Sequence, residues 1–267
     1  MRDDDDYDDD DFARRRRVEP SSGGGFPKWI LWVGGGVLLL FLLCGGIILG
    51  VFFGVRALVA NAVASLPQPP GPPGSREATD AEITQAISEL RGPRRKEAAD
   101  RITGWKPIES RRKEVARALE PLLTDTAPFV APSGAKALGV WGTADNLPAL
   151  HRQLQSADIF TRPEVIRALG ELKFEQSAGP LTSQLGEIFY REDASRALKA
   201  IGPKAEGEVI KYLENQKNDA VGRQEACNIL GQIGTKNSVP ALQQASKDPN
   251  PGVSAAATTA LNSVNRR

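Results

Sequence analysis

The chain is poor in the side chains that build disulfides, metal sites and common catalytic centres. It has two cysteines and one histidine in 267 residues. Cys44 lies in a long apolar run and Cys227 lies far away in the polar part, so we expect no disulfide within one chain. His151 alone cannot supply a zinc site or a Ser-His-Asp triad. We therefore expect no metal, no cofactor and no catalytic residue.

The chain also lacks a large excess of positive or negative charge, because its formal net charge is only +1. A nearly neutral chain lacks the basic footprint of a nucleic-acid-binding protein, so no nucleic-acid partner is expected. The signatures G-x-x-x-x-G-K-[ST], G-x-S-x-G, H-E-x-x-H and C-x-x-C do not occur. These absences favour a protein that is not an enzyme.

One apolar run, Trp29 to Val55, contains neither charge nor proline. About 20 apolar residues suffice to cross a bilayer, so the run predicts a transmembrane helix over 29–55 that extends as a helix up to residue 66. A cleaved signal peptide is the alternative, and the run is too long for it. Three glycines at spacings of four predict self-association of this helix into a homodimer, the alternative being the general enrichment of glycine in membrane helices. They are Gly46, Gly50 and Gly54.

Basic residues predict the orientation of this helix. Arg14 to Arg17 and Lys28 precede the run, whereas Arg56 alone closely follows it. The positive-inside bias places the N-terminus in the cytoplasm and the C-terminal domain on the extracytoplasmic side, in a single-pass membrane protein. The acidic and basic tail, 1–28, is expected to be disordered. It is either a solvated tail or a basic patch for anionic lipid head groups.

The Pro- and Gly-rich stretch 67–76 predicts a semi-rigid linker, and residues 77–267 predict a repeat domain. A leucine or isoleucine, here called the anchor, recurs every 29 to 36 residues. Apolar or small residues at −4, −1 and +3 from it define one face of a helix. Gly142, Gly202 and Gly234 stand at +4, where tolerance of positive φ would end the helix. The anchors are Ile102, Leu138, Leu169, Leu198, Leu230 and Leu261.

A second helical segment lies between successive anchor helices. Pro148, Pro180 and Pro240 recur near its start, where a missing N–H costs nothing. The unit is thus two helices and two turns in about 31 residues. The pattern predicts an all-α fold, an α-solenoid of about five to six helical hairpins that share one core.

The phrases VPAL from Val239, KDPNPGV from Lys247 and the recurrent A-x-x-A-L-G are similar to those of the HEAT-like repeats of the phycobilisome-lyase type. The resemblance covers roughly residues 80–267, with a degenerate first unit in which Arg101 replaces an apolar residue. It implies a right-handed α-solenoid whose anchor helices line the concave side. It also implies, as an alternative function, a lyase-like enzyme or chromophore-attachment factor.

Charged and polar residues recur at −5 and −2 from the anchors, three residues apart and hence adjacent on one helix surface. One interpretation is a series of intrahelical ion pairs. The other is a polar ladder along the concave face that binds an extended peptide or an acidic segment. The candidate protein-binding residues are Lys136, Glu164, Arg167, Asp193, Arg196, Glu225 and Asn228.

Long curved solenoid surfaces usually bind other proteins. We therefore expect a membrane-anchored scaffold that mediates protein–protein interaction through its solenoid surface. Its protein partner is not identified by the sequence, and membrane lipid is the other expected partner.

Overall fold

The computed structural model describes residues 72–267. The predicted tail 1–28, the transmembrane helix 29–55 with its three glycines and the first half of the linker 67–76 lie outside the described residues. Within 72–267, no helix combines the length and apolar character needed to cross a membrane. The membrane-related expectations therefore stay predictions.

Residues 72–267 fold into six helical hairpins, each with a first (A) and a second (B) helix, and the prediction of an all-α fold is confirmed for them. The A helices are α1 (Asp80–Glu89), α3 (Glu109–Leu119), α5 (Leu147–Gln153), α7 (Ala178–Thr182), α9 (Glu206–Glu214) and α11 (Val239–Ala245). The B helices are α2 (Arg95–Thr103), α4 (Val130–Trp141), α6 (Thr161–Leu172), α8 (Arg191–Ile201), α10 (Ala220–Ile233) and α12 (Pro251–Asn265).

The anchors form the centre of one continuous core. Those of the first five hairpins, from Ile102 to Leu230, are fully buried, and Trp141 is buried with them. Leu261 of the last hairpin is only half-buried, because no further hairpin covers it. A single hairpin cannot bury its apolar stripe, so each one depends on its neighbours.

Small residues bring consecutive B helices close together. An added Cβ at Gly170, one residue after its anchor, would lie 2.8 Å from the Cα of Ala197, one residue before the next anchor. Gly139 faces Ala168 and Gly231 faces Ala260 in the same way. Consecutive B helices accordingly pack more extensively than consecutive A helices. This packing agrees with the expectation that the B helices line the concave side, and the surface that they form is here called the inner surface.

Three B helices end at the predicted glycines, but positive φ explains the glycine at only one of the three positions. Gly202 follows α8 with φ of 77°, the left-handed conformation that favours glycine. Gly142 and Gly234 have extended backbones instead. There, an added Cβ would lie 2.4 Å from the carbonyl oxygen of Leu138 or Leu230. Close approach to the preceding turn, not positive φ, requires glycine at these two positions.

Candidate protein-binding surface

The predicted polar ladder lies on the surface of the B helices. All four residues at −2 are exposed, namely Lys136, Arg167, Arg196 and Asn228. The residues at −5 lie deeper: Glu164, Asp193 and Glu225 are half-buried, and Ser133 is buried. The structure thus places the seven candidate residues along the same face of α4, α6, α8 and α10.

Each acid at −5 pairs with the residue at −2 on its own helix. Both oxygens of Glu164 accept hydrogen bonds from Arg167 Nη1, at 2.8 and 2.7 Å. Arg196 donates to Asp193 and to Glu192, both at 3.0 Å. The carboxamide of Asn228 donates to Glu225 at 2.9 Å. The intrahelical ion pairs of the first interpretation are therefore present, and such exposed pairs each contribute only about 0.2–0.5 kcal/mol.

This pairing constrains what the surface can bind. Arg167 and Arg196 already face carboxylates on their own helices, so the ladder offers no uncompensated positive stripe. An acidic segment would have to compete with these carboxylates. A polypeptide that presents both donors and acceptors matches the alternating charges better.

The ladder departs from its regular pattern where α8 meets α10. Lys199 occupies the position after the anchor that is glycine in three other hairpins, and Ile229 occupies the facing position that is alanine elsewhere. These larger side chains keep the helices apart, and α8 and α10 pack less extensively than any other consecutive B helices of the described chain.

Glu225 bridges this wider junction. Its carboxylate accepts hydrogen bonds from Ser195 Oγ and, at 3.2 Å, from Lys199 Nζ, both on the neighbouring helix. Burial opposes ionisation of Glu225, but the hydrogen bonds from Ser195 and Asn228 and the nearby Lys199 ammonium outweigh it, so its pKa is lowered. Glu225 is therefore a fixed anion on the inner surface.

A groove of about 390 Å³ adjoins this anion and runs across α8, α10 and α12. Glu225, Asn228 and Lys199 line one side. Gln232 and small residues line the rest, the small ones being Gly231, Ala256, Thr259, Ala260 and Ser263. A floor made mostly of small side chains leaves room for an extended backbone, and the polar rim supplies hydrogen-bonding groups for it.

A second carboxyl group was missed by sequence reasoning. An added Cβ at Gly139 would lie 2.4 Å from Glu171 Oε2, so this carboxylate rests against the backbone of α4. Burial raises the pKa of Glu171, and the positive charges of Arg167 and Lys136 oppose this increase. Lys136 thus acts on a group of the next hairpin. The sequence signal that could have indicated this contact is the glycine after the anchor, because glycine allows a side chain of the neighbouring helix to approach the backbone.

Cys227, His151 and Trp141 lie in packed surroundings. Cys227 is fully buried, and burial raises the pKa of its thiol to about 12. His151 Nε2 lies 3.2 Å from Ser177 Oγ, and burial lowers its pKa. Trp141 is buried and donates to the carbonyl of Ile102 at 2.9 Å. In the described range, no three His, Cys, Asp or Glu side chains are grouped to hold a metal ion.

Comparison with known proteins supports the repeat assignment. Residues 207–266, the last two hairpins, match the family described as HEAT repeats. No curated protein matches the chain. A similar solved structure is that of an engineered protein, with 21% identity and a TM-score of 0.45 over 69% of this chain and 97% of that one.

Another similar structure is the complex of CpcE and CpcF of phycocyanin lyase from Nostoc sp. PCC7120. It has 20% identity and a TM-score of 0.39 over 76% of this chain and 70% of that one. Both likenesses are too distant to assign a function. The family match covers the last two hairpins, and the helical repeat itself continues over all six hairpins of residues 72–267.

Proposed function

We propose that the protein is a membrane-anchored scaffold whose HEAT-like repeat domain binds a partner protein on its inner surface. The groove beside Glu225 is the observation that carries this proposal. It joins a fixed anion, a lysine ammonium and a floor of small residues on one face of three B helices. The occupant we propose is an extended polypeptide segment with a basic or amide side chain opposite Glu225.

The anchor is the apolar run 29–55, which has the length and composition of a membrane span. With its N-terminus in the cytoplasm, the chain holds the repeat domain on the extracytoplasmic side. Gly46, Gly50 and Gly54 supply the face through which two anchors pair into a homodimer. Protease added to intact spheroplasts should digest the repeat domain and spare the acidic tail. Loss of the tail with survival of the repeats would invert the topology.

The partner is sought by crosslinking on intact membranes, followed by detergent extraction and capture of the tagged full-length chain. Thr259→Trp fills the groove floor from an exposed position and should abolish capture of a partner that binds there. Thr258→Trp is the matched control, because Thr258 is exposed on the same helix and does not line the groove. Equal capture by both variants would exclude the groove as the binding site.

The ladder outside the groove is tested separately. Charge reversal of Arg167 and Arg196 breaks their ion pairs on α6 and α8. Reduced capture would extend the binding surface along the ladder, whereas unchanged capture would confine it to the last three hairpins.

Binding rather than catalysis is the role we propose. In the described residues the single thiol is buried. His151 Nε2 lies 3.2 Å from Ser177 Oγ, but this serine is fully buried and is not accessible to a substrate as a nucleophile. The lyase-like alternative predicts a bound or transferred pigment. An absorbance scan of the purified full-length protein, before and after incubation with a bilin, distinguishes the two roles.

A further inference from the structure

The exposed apolar side chains of the repeat domain share one register. Phe129, Phe160, Phe189 and Val221 each stand nine residues before the anchor of their hairpin. Ile159 and Ile188 precede two of them. These six, here called the turn ridge, are all the large hydrophobic side chains exposed by more than half in residues 72–267. Recurrence at one register across four hairpins indicates a continuous feature rather than scattered surface residues.

The ridge lies on the edge of the array formed by the turns that join each A helix to its B helix. Phe129 and Phe160 are in contact across two hairpins, with ring centroids 5.3 Å apart. Ile188 and Phe189 project furthest, at 74% and 86% exposure. Side chains this exposed protrude from the turns or, for Val221, from the first turn of α10.

The backbone at Phe129 shows that the aromatic side chain is retained at a cost. Phe129 has φ of 63°, in the left-handed region that bulky residues rarely adopt. Glycine or asparagine would occupy this exposed turn with less strain. Inside the domain the phenyl group has the Phe160 ring as its aromatic neighbour, and more than half of Phe129 is exposed.

We propose that the turn ridge rests on the bilayer surface and inserts its side chains at the level of the lipid head groups. This inference depends on the proposed membrane anchor, which keeps the domain close to a bilayer. Protruding apolar side chains can insert into the boundary between lipid head groups and acyl chains. Binding sites for proteins instead usually place their energetically important contacts in well-packed pockets.

Some backbone N–H groups of the ridge turns are already hydrogen-bonded within the protein. The backbone N–H of Phe160 donates to Asp158 Oδ1 at 2.9 Å, and that of Tyr190 donates to the carbonyl of Glu187 at 3.1 Å. These two internal hydrogen bonds reduce the cost of bringing the turns against lipid. The guanidinium of Arg162 lies 4.5 Å from the centre of the Tyr190 ring, so it too is held at this edge.

Charges beside the ridge decide which lipid it prefers. Arg162, Arg191 and Lys217 are balanced by Asp158, Glu187 and Asp219. The ridge therefore has no net attraction to anionic head groups, and its membrane contact should be insensitive to salt. Zwitterionic phosphatidylcholine suffices as the test surface.

The tether is long enough for this arrangement. Backbone N–H groups of Gly74, Ser75 and Arg76 donate to Thr103 or Gly104, at 3.0 to 3.1 Å, so the chain enters the domain at the edge opposite the ridge. Residues 56–66 span about 16 Å as the predicted continuation of the helix, and 67–71 add about 16 Å in extended form, so the tether reaches about 30 Å. The B helix α4 is only about 18 Å long at 1.5 Å per residue. The reach of the tether is therefore compatible with contact between the ridge and the membrane.

The test uses the full-length chain with Cys44 replaced by alanine, reconstituted into phosphatidylcholine vesicles. Cys227 is buried and stays unlabelled, so Phe189→Cys or Val221→Cys carries a single environment-sensitive fluorophore. Lys236→Cys is the control, since it is exposed on the opposite edge. Doxyl-labelled lipid should quench the two ridge probes about twofold, at low and high salt alike, and leave the control unchanged.

The possible failures are separable. Vesicles that float with the protein while ridge and control probes are quenched equally would overturn the ridge contact and leave the anchor intact. Ridge probes shielded from aqueous iodide yet untouched by doxyl lipid would mean that protein covers the ridge, which also overturns it. A chain that does not float with vesicles would remove the anchor and this inference together.

Discussion

Three glycine-to-alanine substitutions test how closely the B helices must approach. In an unobstructed helix this change stabilises by up to about 1 kcal/mol, because glycine loses more backbone entropy on folding. Gly207 is exposed in α9 and has no neighbouring atom within 4 Å of an added Cβ, so Gly207→Ala should show that gain. At Gly170 the added Cβ would lie 2.8 Å from both Cα and Cβ of Ala197.

The contact at Gly170 cannot be relieved by a side-chain rotation, since one of its atoms is backbone. Helices α6 and α8 must separate, and such overpacking costs about 1–3 kcal/mol. Gly170→Ala should therefore be less stable than Gly207→Ala by about that amount. Gly231→Ala should fall between them, because its Cβ would meet Ala260 at 3.3 Å on the terminal helix α12.

Urea unfolding followed by circular dichroism measures these differences. Residues 68–267 are a suitable fragment, because they form one compact unit with a continuous core. The midpoints should rank Gly207→Ala above wild type and Gly170→Ala below Gly207→Ala. Equal midpoints for these two variants would refute the close packing of α6 on α8.

Three further predictions concern buried polar groups in the same fragment. Burial opposes ionisation of Glu206, but hydrogen bonds led by that from Ser238 lower its pKa. The contribution of the Glu206 carboxylate to folding stability should therefore be lost as the pH falls below about 4.5. Glu206→Gln should make the free energy of unfolding less dependent on pH in this acidic range. Arg223 and Asp248 form an almost fully buried ion pair, so Arg223→Leu should destabilise by about 3–5 kcal/mol in urea unfolding, whereas a double variant that also replaces Asp248 by leucine should recover part of the loss. Cys227 should resist Ellman's reagent at pH 8 and react fully in urea, because burial raises its thiol pKa to about 12; rapid labelling of the folded fragment would contradict this burial.

The helical repeat could be predicted because its signal is periodic and local. An apolar residue every three or four positions defines a helix face wherever it occurs, and recurrence of the same face every 29 to 36 residues defines the stack. The ion pairs between −5 and −2 were equally accessible, since both partners lie on one helix. Sequence spacing alone therefore placed Glu164 beside Arg167 and Asp193 beside Arg196.

Contacts between hairpins were harder to predict, because they depend on how far two helices stand apart. Glu225 meets Ser195 and Lys199 across about 30 residues of sequence, and nothing in the spacing of those three residues indicates it. The same limit applied to Gly142 and Gly234, where the fold requires glycine for closeness and not for positive φ. The sequence shows that a glycine occupies each position, but only the backbone conformation shows why glycine is required.

The candidate binding groove combines a regular part of the repeat with an irregular one. Its floor lies between α10 and α12, where Gly231 faces Ala260, and its rim reaches Lys199 on α8. Lys199 and Ile229 replace that pair at the junction of α8 and α10, and the helices stand apart. The resulting gap needs a polar bridge, which Glu225 supplies from α10. Replacing Lys199 by glycine and Ile229 by alanine should therefore draw α8 and α10 together, release Glu225 from its lysine partner and remove the ammonium from the rim of the groove. Retention of full partner capture by that double variant would show that the partner does not recognise this rim.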